Sequence, residues 1–161
     1  MRLNGIEIFQ NDNLKSFKYC QENEQYNNVQ GVLRGLHYQV EPYAQAKYCH
    51  VAKGKVLSVA VDIREKSKKF GKYVSCELDD ISNKYMFIPK GYAHGYVTLS
   101  DESIFIYQVN EYFNLEAMRS IAFDDEDLNI DWKINKEQII VSQKDAMASK
   151  FKDVEIYKGK I

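Results

Sequence analysis

IPKGYAHGYVTL, residues 88 to 99, carries the first decision about the fold. Pro89 fixes its own φ and Gly91 has the conformational freedom a tight turn requires. The stretch therefore reads as a turn that delivers His94 at the start of a strand. His94, Tyr96 and Thr98 then share one face, because side chains alternate along a strand. The pattern repeats outward in both directions. From residue 31 to about 110, short runs rich in Val, Ile, Tyr and Phe are separated by turn-like clusters every eight to twelve residues. This is the spacing of a sandwich or barrel. Segments 32–39, 46–54, 55–64, 72–79, 84–90, 94–100 and 103–113 read as strands, and Lys53-Gly54 between two of them as a hairpin turn. Helical periodicity is confined to one or two turns in 143–154, and the charged tail from 153 onward reads as loosely held.

Bulk properties narrow the function classes. The 161 residues suit one domain spanning 1–161 with one core. With 22 basic against 23 acidic side chains and no long run of either sign, neither a nucleic-acid arm nor a membrane-seeking face is suggested. The start, MRLNGIEIFQNDN, lacks the features of a secretory signal, and no apolar run approaches a membrane span. A cytoplasmic protein is the expectation. Cys20, Cys49 and Cys76 have no C-x-x-C spacing, so they read as reduced thiols, two of them buried, rather than as a disulfide framework or zinc knuckle.

The stretch GVLRGLHYQ, residues 31 to 39, poses a geometric problem. Strict alternation would send Arg34 and His37 to opposite faces. Gly35 between them is the residue type that permits a bulge or a close backbone approach, and a bulge would aim both side chains into one cavity. The competing reading is an edge strand with Arg34 in solvent and His37 hydrogen-bonded in a wall.

The P-x-G-x-x-H spacing of Pro89, Gly91 and His94 resembles the second motif of the cupin superfamily, whose fold is a small antiparallel jelly-roll barrel. Many cupins bind a metal through an H-x-H pair, a glutamate and this later histidine. Here the first site reads His37-Tyr38-Gln39, and His50 has no partner at ligand spacing. No metal site is therefore expected. A metal-free pocket with a histidine, a lysine and buried tyrosines suits proton transfer at carbon beside a carbonyl. An imidazole removes the proton, a cation stabilises the enolate oxygen, and a phenol returns a proton. Lys47 shares a face with Cys49 and Val51, and Tyr107 shares one with Phe105 and Val109. For Tyr107 taken alone, a core tyrosine with a hydrogen-bonded tip is the better reading.

The ordered series VLRGLHYQ, AQAKYCHVAKGKVLSVAVDIR, SKKFGKYVSCEL, FIPKGYAHGYVTLS, IYQVNEYF, AFDDEDLNIDW and VSQKDA resembles the dTDP-4-dehydrorhamnose 3,5-epimerase family over residues 29 to 148. The resemblance implies an all-β jelly-roll homodimer with short peripheral helical turns and no cofactor. It implies inversion of carbon 3, alone or with carbon 5, of a nucleotide-diphosphate 4-keto-6-deoxy sugar, in deoxysugar biosynthesis for surface polysaccharide. By the same resemblance His37 is the general base, Asp145 the carboxylate that holds it, and Tyr107 the general acid. Lys47 and His94 line the sugar pocket, and Arg34 and Lys144 hold substrate. Tyr112 supports the sugar or base, Arg119 fits the pattern, and Gln21 and Asn23 match a nucleotide-contacting stretch.

Departures from the family pattern gather at the nucleotide end. Asn13 or its neighbour stands where an arginine is usual, Lys18 near the place of a glutamate, and Met118 where a pocket glutamate is common. A bidentate phosphate clamp is not replaced by one lysine. The proton-transfer set is intact while the nucleotide end is altered, which leaves an alternative: a barrel that binds a nucleotide sugar with changed specificity or without turnover. A metal-dependent dioxygenase is disfavoured by the missing ligand.

Overall fold

A computed structural model describes residues 17–82 and 84–159. Its strands are β1 (Gln21–Asn27), β2 (Val32–Gln39), β3 (Lys47–Lys53), β4 (Lys55–Asp62), β5 (Tyr73–Asp79), β6 (Met86–Ile88), β7 (Tyr92–Thr98), β8 (Ser103–Val109), β9 (Met118–Ser120) and β10 (Ile140–Val141). One helical turn, α1 (Gln143–Ala146), follows β10. The order β1-β8-β3-β6 makes a four-stranded sheet, and β10-β2-β7-β4-β5 lies in a six-stranded sheet with β9 paired to β2. These pairings are antiparallel except that β10 runs parallel to β2. The jelly-roll architecture expected from the sequence is the one observed. No helix among the described residues is long and apolar enough to cross a membrane.

The central strands β4 and β7 of the six-stranded sheet are buried on both sides, which explains the nearly unbroken apolar run KVLSVAVD. On β4, Val56 and Ala60 join Cys49, Met86 and Phe105 between the two sheets. Leu57, Val59 and Val61 point the other way, against Leu36, Ile121, Trp132 and Tyr157. The single core expected from chain length is thus two apolar layers divided by a sheet. Cys49 and Cys76 are buried, Cys20 is exposed, and all three are free thiols.

Two local expectations need correction. Lys53-Gly54 does not close a hairpin, because β3 and β4 pair with different partners in different sheets. Gly54, at φ +75°, instead turns the chain from one sheet to the other. Nor is the tail loose. Tyr157 is 5% exposed, its backbone bridges Arg64, and its hydroxyl donates to Glu41. The apolar body of one aromatic residue anchors an otherwise charged segment.

The strand β1 escapes a pattern-based reading because QENEQYN has almost no apolar residue. It pairs along β8 in full register, Gln21 to Val109 through Asn27 to Ser103. The inward residues are polar because they border an open cavity rather than a packed core.

The Arg34–His37 segment is bulged. Arg34 pairs with Tyr96 and His37 with His94, so β2 spends one more residue than β7 across the interval. Gly35 makes this possible: its φ is +118°, and a Cβ there would stand 2.6 Å from Gly95 Cα and 2.7 Å from the His94 carbonyl oxygen. Gly35→Ala is expected to lower stability by about 3 kcal/mol, combining an unfavourable φ with backbone overlap. Urea denaturation measures this, and an unchanged midpoint would contradict the bulge geometry.

Candidate active site

The bulge turns His37 toward the barrel hollow, where its Nε2 lies 2.5 Å from Asp145 Oδ1. Asp145 comes from α1, whose preceding residue Ser142 caps the turn by accepting the Asp145 N–H. The carboxylate is 5% exposed, against 32% for the imidazole. Burial pushes the Asp145 carboxyl upward, but hydrogen bonds from His37, Ser142 and the Gly35 backbone outweigh it and hold the group below its usual value. An ionised carboxylate therefore fixes the ring's orientation. The other ring nitrogen is not engaged by Asp145.

The facing wall belongs to the four-stranded sheet. Tyr107 on β8 lies beside Lys47 on β3, whose Nζ is 5.6 Å from the phenol ring centre. Burial raises the Tyr107 phenol, helped by Cys49 and Tyr96 and opposed by Arg34, so it is protonated at neutral pH. Burial also pulls the Lys47 ammonium below the ordinary lysine value, with Cys49 opposing. His94 on β7 is buried, and its Nε2 lies 2.9 Å from Ser58 Oγ. Burial, then Lys47 and His37, lowers its pKa well below the usual imidazole range. The two imidazoles are thus unlike: His37 has an anionic partner, and His94 a neutral one.

These groups border a two-lobed cavity. The inner lobe, about 180 Å³, is lined by His37, Asp145, Tyr107, Lys47, His94, Arg34 and Lys144, together with Gln25, Tyr96, Phe105 and Ser142. The outer lobe, about 260 Å³, shares His37, Lys47, Tyr107 and Lys144 and adds Gln21, Asn23, Gln39, Gln45, Phe113 and Met118. Residues from β1, β2, β3, β7, β8 and α1 therefore converge. Two expected site residues lie elsewhere. Tyr112 is 63% exposed and lines neither lobe; its neighbour Phe113 lines the outer one. Arg119 turns to Glu155 at 2.9 Å and borders a surface groove that shares Met118 and Lys144 with the outer lobe. Of the substituted nucleotide-end positions, Asn13 lies outside the described residues, Lys18 is exposed, and Met118 lines the outer lobe. Gln25, Gln45 and Tyr96 carry no motif of their own; only the inward alternation of an unrecognised β1 would have marked Gln25. No cluster of three or more His, Cys, Asp or Glu suited to a metal occurs among the described residues.

A jelly-roll barrel whose hollow is bordered by a carboxylate-paired imidazole on one sheet and a phenol on the other is a framework suited to proton transfer on a bound ligand. The family model for dTDP-4-dehydrorhamnose 3,5-epimerase matches residues 4–153, and the chain belongs to that family of nucleotide-sugar isomerases. It is 38% identical over 151 residues to the dTDP-4-dehydrorhamnose 3,5-epimerase of Shigella flexneri, covering 94% of this chain and 82% of that one. The solved dTDP-4-dehydrorhamnose 3,5-epimerase of Elizabethkingia anophelis is similar with a TM-score of 0.83 and 43% identity, over 84% of this chain and 74% of that one. The Legionella pneumophila dTDP-6-deoxy-D-glucose-3,5-epimerase, solved in complex with dTDP-4-keto-L-rhamnose, gives a TM-score of 0.84 and 36% identity over 96% and 85%.

The state of His94 has a consequence for stability. Its folded pKa is below the unfolded value, so between the two the unfolded chain binds more protons and stability falls as pH drops below about 6.5. His94→Gln should flatten the pH dependence of unfolding between about pH 7 and 5, read by urea denaturation. An identical slope in the variant would show that His94 is not held neutral by burial.

Proposed function

We propose that this chain epimerises a dTDP-linked 4-keto-6-deoxy sugar at carbon 3, alone or with carbon 5, through an enolate. The observation that carries the reading is the placing of His37, with its buried carboxylate, and Tyr107 on facing sheets around one sugar-sized lobe. The C4 ketone acidifies the neighbouring C–H bonds. His37 takes the proton, and Asp145 stabilises the imidazolium that forms. As the C–H electron pair moves into the C3–C4 bond, negative charge gathers on the C4 oxygen. Lys47 and His94 are the donors for that oxygen, acting where water is largely excluded. Tyr107 then delivers its proton to the carbon from the opposite face, which inverts it. The protonated phenol described above is the form this step needs.

Arg34 and Lys144 hold the substrate, while Gln21, Asn23, Phe113 and Met118 in the outer lobe face its nucleotide part. That the Legionella relative was solved with dTDP-4-keto-L-rhamnose supports a dTDP-linked sugar as the ligand. The product suits deoxysugar supply for surface polysaccharide, and a free nucleotide sugar with reduced thiols suits the cytoplasm. The homodimer reading is supported by the outer face of the four-stranded sheet. There Tyr48 stacks on Tyr85 at 5.2 Å and His50 lies 4.9 Å from Tyr85, an aromatic surface fitted to a second copy.

In heavy water, the wild-type chain should incorporate deuterium at carbon 3 of a dTDP-linked 4-keto-6-deoxy sugar, read by NMR. His37→Asn should abolish this, and Asp145→Asn should slow it about 10³- to 10⁴-fold, while binding persists. Tyr107→Phe should retain exchange but lose inversion. Binding without exchange by the wild type would instead favour a non-catalytic nucleotide-sugar-binding barrel.

A further inference from the structure

The mechanism gives no role to two residues on one wall of the inner lobe. Gln25 and Tyr96 lie there beside the substrate-holding Arg34, and neither moves a proton. Their hydrogen bonds form a chain with a single direction. Arg34 donates through Nε and Nη2 to Asn27 Oδ1, at 3.4 and 3.3 Å. Asn27, 4% exposed, donates through Nδ2 toward the Tyr96 phenol oxygen, the Ser103 hydroxyl and the Gln25 carbonyl oxygen, each at 3.3 Å. The Tyr96 hydroxyl donates to Gln25 Oε1 at 2.7 Å.

Direction decides what the last residue can do. Because Asn27 already donates to the phenol oxygen, the single phenol proton goes to Gln25 and fixes the orientation of its carboxamide. The Gln25 amide nitrogen is then the end of the chain, a donor with no hydrogen-bond partner among the described residues. Aligned links polarise one another and stiffen the arrangement. Such a terminus suits an acceptor on the ligand. Besides the C4 oxygen, a sugar ring in this lobe offers its ring and glycosidic oxygens and its hydroxyls as acceptors, and of these only the hydroxyls differ between one such sugar and another.

Resting on the proposed function, we propose that Gln25 is a specificity-determining residue that donates to a hydroxyl at carbon 2 or carbon 3 of the sugar, with Tyr96 as its positioning residue. A site built to bond a hydroxyl discriminates against the ligand lacking it, because the donor is then left unpaired in a desolvated lobe. Gln25 thus selects a hydroxylated sugar edge over a deoxygenated one. Tyr96 contributes to that selection without bonding the sugar.

The test is binding of dTDP-quinovose, which has no ketone and cannot turn over, against its 2-deoxy and 3-deoxy counterparts, measured by calorimetry. The wild type should bind dTDP-quinovose about tenfold more tightly than at least one deoxy ligand. Gln25→Met should bring that ratio close to one, and Tyr96→Phe should reduce it about threefold. A merely structural role would weaken all three ligands equally. Equal binding of the three ligands by the wild type, or an unmoved ratio in both folded variants, overturns the proposal. Should Gln25→Met fail to fold, the ratio in Tyr96→Phe decides the matter. Discrimination by a wild type that shows no isotope exchange would sink the epimerase reading and leave this assignment standing.

Discussion

The contact between His37 and Asp145 joins residues 108 positions apart, and most of the site is organised to make it. The β2 bulge turns the imidazole inward, and β10, running parallel to β2, brings the chain back beside it. Ser142 then caps a helical turn so short that its role is to present one carboxylate. A buried carboxylate without a partner would be costly or would take up a proton. Here hydrogen bonds from His37, Ser142 and the Gly35 backbone hold its pKa below the usual value, and the ionised group fixes the ring it bonds.

The barrel interior is divided between packing and chemistry. At one end Val56, Leu78, Met86 and Ile88 fill the space between the sheets. At the other, β1 contributes only polar inward residues and the space stays open. The neutral His94, the burial-shifted Lys47 and the protonated Tyr107 all follow from siting ionisable groups at this boundary, where solvent is partly excluded.

Much of this was legible in the sequence, for identifiable reasons. The strand-forming runs from 32 to 109 alternate or stay apolar, so their existence could be read. The Gly35 bulge was legible because only a glycine admits the φ and the close approach to Gly95. β1 was not legible, since a strand lining a polar cavity has no apolar face to reveal it. The nearness of Asp145 to His37 has no local signature and entered through family resemblance. Tyr112 and Phe113 show the complementary failure: a motif narrows the position to two residues, and alternation in an irregular segment does not say which of them faces inward. Arg119 fits the family pattern but is drawn outward by Glu155.

The central claim is spatial: one sugar ring lies between an imidazole and a phenol carried by different sheets. A crystal structure with a bound dTDP-linked 6-deoxy sugar tests it directly. The account predicts the ring in the inner lobe, with the His37 nitrogen not bound to Asp145 and the Tyr107 hydroxyl each about 3–3.5 Å from carbon 3, on opposite faces. A ring in the outer lobe only, or one with both groups on the same face, would contradict it.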